Sequence, residues 1–284
     1  MHRPDPVRQN FGVRKIYVIG IGAGDPDQLT LQAVKALKST DVFFILDKGE
    51  EKDDLVQLRR DLLGAHRADG TDGGHRAYRV VEAPDPARDR EAGGADYSPA
   101  VVDWRSRRAD IYERLISDEL GDDECGAFLV WGDPALYDST LGILEEVLGR
   151  GRVAFSYEVV PGVSSVSSLA AKHRVGLNRV GRPVQITTGR RLADGGFPEG
   201  VDDVVVMLDA QQAFRQYQRE EGEEGGESGG DMYIYWGAYV GTADEILVSG
   251  PLDEAAPRIE ALRAEARERK GWIMDTYLLR RNLD

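Results

Sequence analysis

One cysteine, Cys125, occurs in 284 residues, so no disulfide forms within the chain and no thiolate set holds zinc or an iron–sulfur cluster. Histidine is scarce too: His2, His66, His75 and His173 are scattered, with no pair at helical metal-ligand spacing, and no catalytic metal is expected. Positive charge is in deficit, with 36 Lys and Arg against 50 Asp and Glu and a formal net charge of −14. Without a basic face, neither nucleic acid nor an anionic membrane surface is an expected partner. No stretch reaches the ~18 apolar residues that span a bilayer, and residues 1–13 are polar and proline-punctuated. The expected location is cytoplasmic. What is present, 41% apolar and 30% charged residues, describes a folded chain long enough for one large domain or two ordinary ones.

The apolar run from Ile16 to Ile21 precedes a glycine loop and reads as a buried parallel strand. A helical face then carries Leu29, Ala33 and Leu37, and "DVFFILD", Asp41 to Asp47, gives a second strand, so the chain opens as a βαβ unit. "DDLVQLRRDLL" is an amphipathic helix. Residues 64–99 read as loop with a short strand near Tyr78 to Glu82, and Val101 to Leu120 is helical again. Cys125 to Trp131 and "VAFSYEVVPG" are strands around a helix with Ser139 at its N-cap and Gly149 at its end; Ser164 to Lys172 is the next helix. Beyond it come five strand-like runs, "PVQITT", "DDVVVML", "MYIYW", "EILVSG" and "GWIMDTYLL", with fewer helices, chiefly Leu252 to Lys270. The expected fold is therefore α/β in two domains: 14–176 with a mostly parallel sheet, and 180–284 of mixed α+β type. Residues 219–230, "REEGEEGGESGG", read as an acidic surface insertion.

Three turns carry candidate chemistry. In "IGIGAGDPDQLT", Gly20, Gly22 and Gly24 follow a strand, where bare backbone N–H groups approach a ligand closely. The dinucleotide fingerprint needs a different third spacing, although Asp47 ends the next strand where a ribose-binding carboxylate would sit. A ligand-free turn, a cofactor loop and a dinucleotide loop all remain open at this stretch. In "VWGDPALYDST", Asp133 leaves a strand at the C-terminal edge of a parallel sheet, where such sheets bind ligands; Asp-Pro is also a plain turn signal. In "EVVPGVSSVSSLAA", Ser164 and Ser165 either offer hydroxyls to a ligand or only cap a helix.

Together and in this order, the three segments resemble the tetrapyrrole methylase family, the S-adenosylmethionine-dependent enzymes that methylate corrin and sirohaem precursors. The family's V-G-x-G-P-G-D-P-x-L-L-T appears as "IGIGAGDPDQLT", with Ala23 where many members have proline; its G-D-P-x-x-Y matches Gly132 to Tyr137, and its V-P-G-x-[ST]-S matches Val160 to Ser165. A closer likeness lies in "DVFFILDKGEEKDDLVQLRR", "VWGDPALYDSTL" and "RPVQITTGRRL". It is to those members that methylate a ring carbon of a cobalamin precursor while acetate departs. The resemblance implies a donor folded in a cleft between two domains. Its contacts would come from Ala23, Trp131, Gly132, Asp133, Leu136, Ser164 and Ser165, and more faintly from Met207, Gly237 and Ala238. Gly22 and Gly24 would face the substrate. The polyanionic tetrapyrrole would meet Arg59 with Arg60, Arg190 and Arg191, because a carboxylate-rich ligand needs clustered cations on an acidic protein. Asp47 or Tyr137 would handle the proton during acetyl loss, and family analogy implies a homodimer and no metal. Rival readings are another corrin-carbon methylase, a dinucleotide-dependent oxidoreductase using Gly20 to Gly24 with Asp47, and a non-catalytic carrier.

Overall fold

The computed structural model describes residues 14–47, 53–67, 77–86, 97–218 and 232–281; the expected acidic insertion at 219–230 lies outside them. The chain divides into two compact units, one of residues up to Ile21 with Leu29–Gly162, the other of Gly22–Gln28 with Val163 onward.

In the first unit, strands β1 (Arg14–Gly20), β2 (Val42–Asp47), β3 (Arg79–Pro84), β4 (Cys125–Val130) and β5 (Phe155–Val160) form one sheet in the order β3-β2-β4-β1-β5. Every pairing in it is parallel. Helices α1 (Leu31–Ser39), α2 (Asp53–Arg67), α3 (Tyr97–Glu119) and α4 (Thr140–Arg150) connect the strands. Strand side chains alternate between faces. Val42, Phe44, Phe128 and Val130 pack with Ala109, Tyr112, Leu115 and Ile116 of α3 and with Ile143, Leu144 and Val147 of α4. Phe43, Ala127 and Leu129 point the other way, onto Ala33, Ala36 and Leu37 of α1 and Leu62 and Leu63 of α2. Cover on both faces explains why these strands read as unbroken apolar runs.

The second unit holds α5 (Ser165–His173), β6 (Val184–Thr188), α6 (Gly189–Gly195), β7 (Asp203–Met207), β8 (Met232–Ala238), β9 (Ile246–Pro251), α7 (Leu252–Lys270) and β10 (Asp275–Arg281). Its sheet runs β6-β7-β10-β8-β9, parallel between β6 and β7 and antiparallel elsewhere. Its core joins Val204, Val206, Ile234, Trp236, Tyr277 and Leu279 to Leu192 of α6 and to Leu252, Ala256 and Ile259 of α7.

The α/β class, the all-parallel first sheet and the mixed second sheet agree with the sequence reading. The two strands of the opening βαβ unit lie in this sheet with β4 between them. Two details differ. Helix α4 runs through Gly149 and ends at Gly151, whose left-handed backbone (φ 66°) is the conformation glycine supplies at a helix end. Helix α5, which the sequence division left with the first sheet, belongs to the second unit and packs on β8 and β10. Among the described residues no helix is long and apolar enough to cross a membrane.

Candidate functional site

In the first unit, β1, β4 and β5 all end at one edge, and the three residues that leave them there are glycines or lead into one. A Cβ placed on Gly20 would lie 2.6 Å from the Gly162 nitrogen and 2.9 Å from the Gly132 oxygen. Real Cβ atoms do not approach backbone so closely, so the edge closes only because all three positions lack side chains. Gly132 also has φ 68°, which turns the chain out of β4.

Asp133 follows directly. One of its carboxylate oxygens accepts from the Ala135 nitrogen at 2.8 Å and the other from the Gly162 nitrogen at 2.9 Å. The carboxylate thus builds the turn and staples it to the end of β5, while each oxygen keeps a further lone pair for a ligand. Leu136 continues the turn, its nitrogen donating to the Asp133 carbonyl at 3.2 Å. Tyr137 then adopts φ 53° and leaves its side chain 45% exposed. Partial burial raises its phenol above the ordinary value, so the ring remains a hydrogen-bond donor at neutral pH. Trp131, just before Gly132, packs against the core formed by Ile19, Phe43, Leu129 and their neighbours, and its indole nitrogen is buried without a partner.

Asp47 ends β2 with an exposed side chain, and its carbonyl accepts from the Asp85 nitrogen at 2.7 Å. Arg59, on α2, reaches back to the sheet, its Nε donating to the Leu129 carbonyl at 3.3 Å. Burial lowers its pKa, against the opposing pull of Asp138. A guanidinium does not shed its proton in a protein, so Arg59 remains a cation in a low-dielectric place. Arg60 instead pairs with Glu82 on the surface.

The second unit gathers the other residues singled out by sequence. Gly22 (φ 81°) and Gly24 (φ 140°) shape the loop, and a Cβ on Gly24 would lie 2.5 Å from the Thr242 side chain. Ala23 is buried, and its nitrogen donates to the Gln28 side-chain oxygen at 3.0 Å; the same oxygen accepts from the Ser168 hydroxyl of α5 at 3.1 Å. Ser164 caps α5, accepting from the Ser167 nitrogen at 3.2 Å, and Ser165 opens the first turn. Met207 and Gly237 both pair with Thr276, one on each side of β10, so they stand in one row across the sheet. Leu169 of α5 fills the space over Gly237, 2.8 Å from where a Cβ would be. The residues following these strand ends, Leu208 and Tyr239, are left-handed (φ 54° and 49°), a backbone rarely held by large side chains. Ala238 is fully buried.

Arg190 and Arg191 lie exposed in the first turn of α6, whose cap is Thr188. Gln28, which orders the glycine loop from a position five residues beyond Ala23, was not evident from sequence; its only signal is a polar side chain within "DPDQLT". Among the described residues no group of three or more His, Cys, Asp or Glu is arranged to hold a metal ion. The chemistry on offer is thus peptide donors and acceptors at strand ends, carboxylates at Asp133 and Asp47, a phenol at Tyr137 and arginine cations.

Comparison with known proteins places these features in a lineage. The family model described as Tetrapyrrole (Corrin/Porphyrin) Methylases matches residues 15–256. A Sinorhizobium protein named precorrin-6A synthase [deacetylating] is 49% identical over 273 residues, covering 96% of this chain and 97% of its own. The crystal structure of a cobalamin synthesis related protein (CobF) from Corynebacterium diphtheriae superposes with a TM-score of 0.75 at 35% identity, covering 96% of this chain and all of that one. A uroporphyrin-III-C-methyltransferase from Thermus thermophilus, at 19% identity and a TM-score of 0.55, shares the fold over 95% of this chain.

Proposed function

Since this chain belongs to the tetrapyrrole (corrin/porphyrin) methylases, we propose that it transfers a methyl group from S-adenosylmethionine to C1 of precorrin-5, with loss of the C1 acetyl group as acetate, giving precorrin-6A. The observation that carries this reading is the near-full-length relation to the Sinorhizobium enzyme, which extends through all three turn motifs.

Methyl transfer from a sulfonium is an in-line displacement, so alignment of donor and acceptor does most of the work, worth up to ~7–11 kcal/mol. That demand suits a site made of backbone. Gly132, Asp133 and Leu136 present a fixed turn, and Asp133, already tied at both oxygens, has no freedom to swing away from a ribose hydroxyl or ammonium group. Trp131, Ala23, Ser164, Ser165, Met207, Gly237 and Ala238 supply the remaining contacts to the donor in this proposal. Ser164 gives its hydroxyl to the α5 cap, which leaves the backbone around it as its contribution.

Acetyl loss adds a second demand. Water adds to the acetyl carbonyl, the C1–acetyl bond breaks, and acetate leaves with the oxygen. The electron pair left on C1 forms the new bond to the methyl carbon while the sulfonium bond breaks; of the water's two protons, one passes to a base and the other is lost to solvent as the acetic acid ionises. Asp47, exposed at the end of β2, serves as that base, and Tyr137, held protonated, donates to the developing oxyanion. Arg59, Arg190 and Arg191, with Gly22 and Gly24, receive the substrate; the partly buried charge of Arg59 meets a carboxylate more strongly than a surface cation does.

Incubation with S-adenosylmethionine and precorrin-5, followed by mass spectrometry and an acetate assay, tests the reading. One methyl gained with one equivalent of acetate released is expected. A methyl gained without acetate assigns the protein to a different corrin carbon, and no methyl transfer ends the proposal. In the same assay, Asp47→Asn and Tyr137→Phe are each expected to lower kcat by about 100-fold, the scale of general acid–base assistance.

A further inference from the structure

Ser139 occupies the N-cap position of α4 but does not cap it. Its backbone is already helical (φ −100°, ψ −7°) and its side chain makes no capping bond; the Thr140 nitrogen is satisfied by Asp138 at 2.7 Å instead. The Ser139 hydroxyl accepts from Arg108 Nη1 at 3.0 Å. Arg108, on α3, donates from Nε to Asp85 Oδ1 at 2.8 Å, and both side chains are only 8% exposed. Its guanidinium lies over the Trp104 ring, 4.7 Å from the centroid, and the Trp104 indole donates to the Pro86 carbonyl at 3.0 Å. The Asp85 nitrogen donates in turn to the carbonyl of Asp47.

These bonds form one line through the first unit: end of β2, Asp85, Arg108, Ser139, then the turn that carries Asp133, Leu136 and Tyr137. We propose that Asp85 and Arg108 are positioning residues that fix the 133–139 turn, through Ser139, against the strand end that carries Asp47. A buried ion pair is a poor way to gain stability, since apolar residues of equal volume serve as well; a forked guanidinium does give a fixed direction to each partner. The turn needs such a fixture. Tyr137 holds a left-handed backbone, which a bulky residue keeps only when its surroundings impose it. Asp85, Arg108 and Ser139 act through the turn, each side chain being engaged with the next along this line. This inference rests on the donor-binding role given above to Asp133 and Leu136.

The test uses the full chain with Ser139→Ala, Ser139→Thr and Asp85→Asn. Arg150→Gln is the control, because Arg150 ties α4 to Asp110 and Glu113 of α3 without reaching the turn. Two readouts are taken: KM for S-adenosylmethionine in the turnover assay, and amide hydrogen exchange at residues 135–140 without donor. Loss of one such hydrogen bond is expected to raise KM about 10-fold in Ser139→Ala and Asp85→Asn, and to speed exchange by a similar factor. Ser139→Thr restores both. Arg150→Gln lowers the melting temperature with KM and turn exchange unchanged. The proposal is overturned if Ser139→Ala leaves exchange of the turn at the wild-type rate, or if Arg150→Gln shifts KM and exchange equally. Wild-type protein that shows no turnover would count against the assigned reaction alone, because the exchange measurement judges the strut by itself.

Discussion

A Cβ at Gly162 would stand 2.1 Å from the Gly132 oxygen and 2.8 Å from the Gly20 Cα. Both neighbours are backbone, so neither can rotate aside. Gly162→Ala is expected to cost about 3 kcal/mol or more, at the upper end of overpacking, and to abolish donor binding by displacing the Asp133 carboxylate bonded to the Gly162 nitrogen. Thermal melting and calorimetry with S-adenosylmethionine check the two effects; wild-type affinity in a folded Gly162→Ala would show that the glycine contact does not shape the site. At this scale the sequence marked strand-end positions without showing the bonds they make. Asp133 was legible as a strand-edge carboxylate, but its bonds to Ala135 and Gly162 depend on how close β4 and β5 come, which no local pattern records. Ser139 was legible as an N-cap, and only the structure shows its hydroxyl turned to Arg108.

Between elements, a buried polar cluster ties the second unit together. Asp209, two residues past β7, accepts from the Gln211 and Ala213 nitrogens and from the Tyr277 hydroxyl of β10 at 2.6 Å. Arg263 of α7 donates to the Asp209 carbonyl and to Asp275, which also accepts from the Trp236 indole of β8. The cluster therefore links β7, β8, β10 and α7 around the row that holds Met207 and Gly237. Tyr277→Phe removes one hydrogen bond to a buried carboxylate and is expected to cost ~1–3 kcal/mol, measured as a lower denaturant midpoint at unchanged slope. The wild type also carries an alkaline signature here. Burial, and then Asp209, raise the Tyr277 hydroxyl well above its ordinary value of 10.0. The unfolded chain therefore loses that proton first, and the stability it lends is complete below pH ~10 and declines as the pH rises further. Midpoints measured from pH 8 to 11 should fall more gently in Tyr277→Phe than in the wild type. Among the elements, the strongly patterned ones were readable: α7 spans the predicted Leu252 to Lys270. Helix α6, seven residues with glycine at both ends, is too short to show a period. Strand order was not readable, since β4 enters between β1 and β2 from eighty residues further along the chain.

For the whole molecule, function was easier to read than site geometry. Three glycine-, proline- and serine-bearing turns in fixed order marked the family, because each is a backbone shape that few residue types can adopt. A ligand that binds only the folded chain stabilises it by mass action. S-adenosylmethionine at one hundred times its dissociation constant is expected to add ~2.7 kcal/mol, seen as a melting temperature several degrees higher. NAD at the same concentration should leave the melting curve in place; the reverse pattern would favour a dinucleotide enzyme. The formal charge of −14 sets a condition on the proposed reaction: a carboxylate-rich acceptor would need locally concentrated cations, the role proposed for Arg59, Arg190 and Arg191, against the field of the whole protein. The meeting of Gly20, Gly132 and Gly162 has one last consequence, for chemical resistance. Main chain without side chains offers alkylating agents and oxidants nothing to modify, so a reagent directed at this strand edge would find its targets in the neighbouring side chains, among them Asp133, Trp131 and Tyr137.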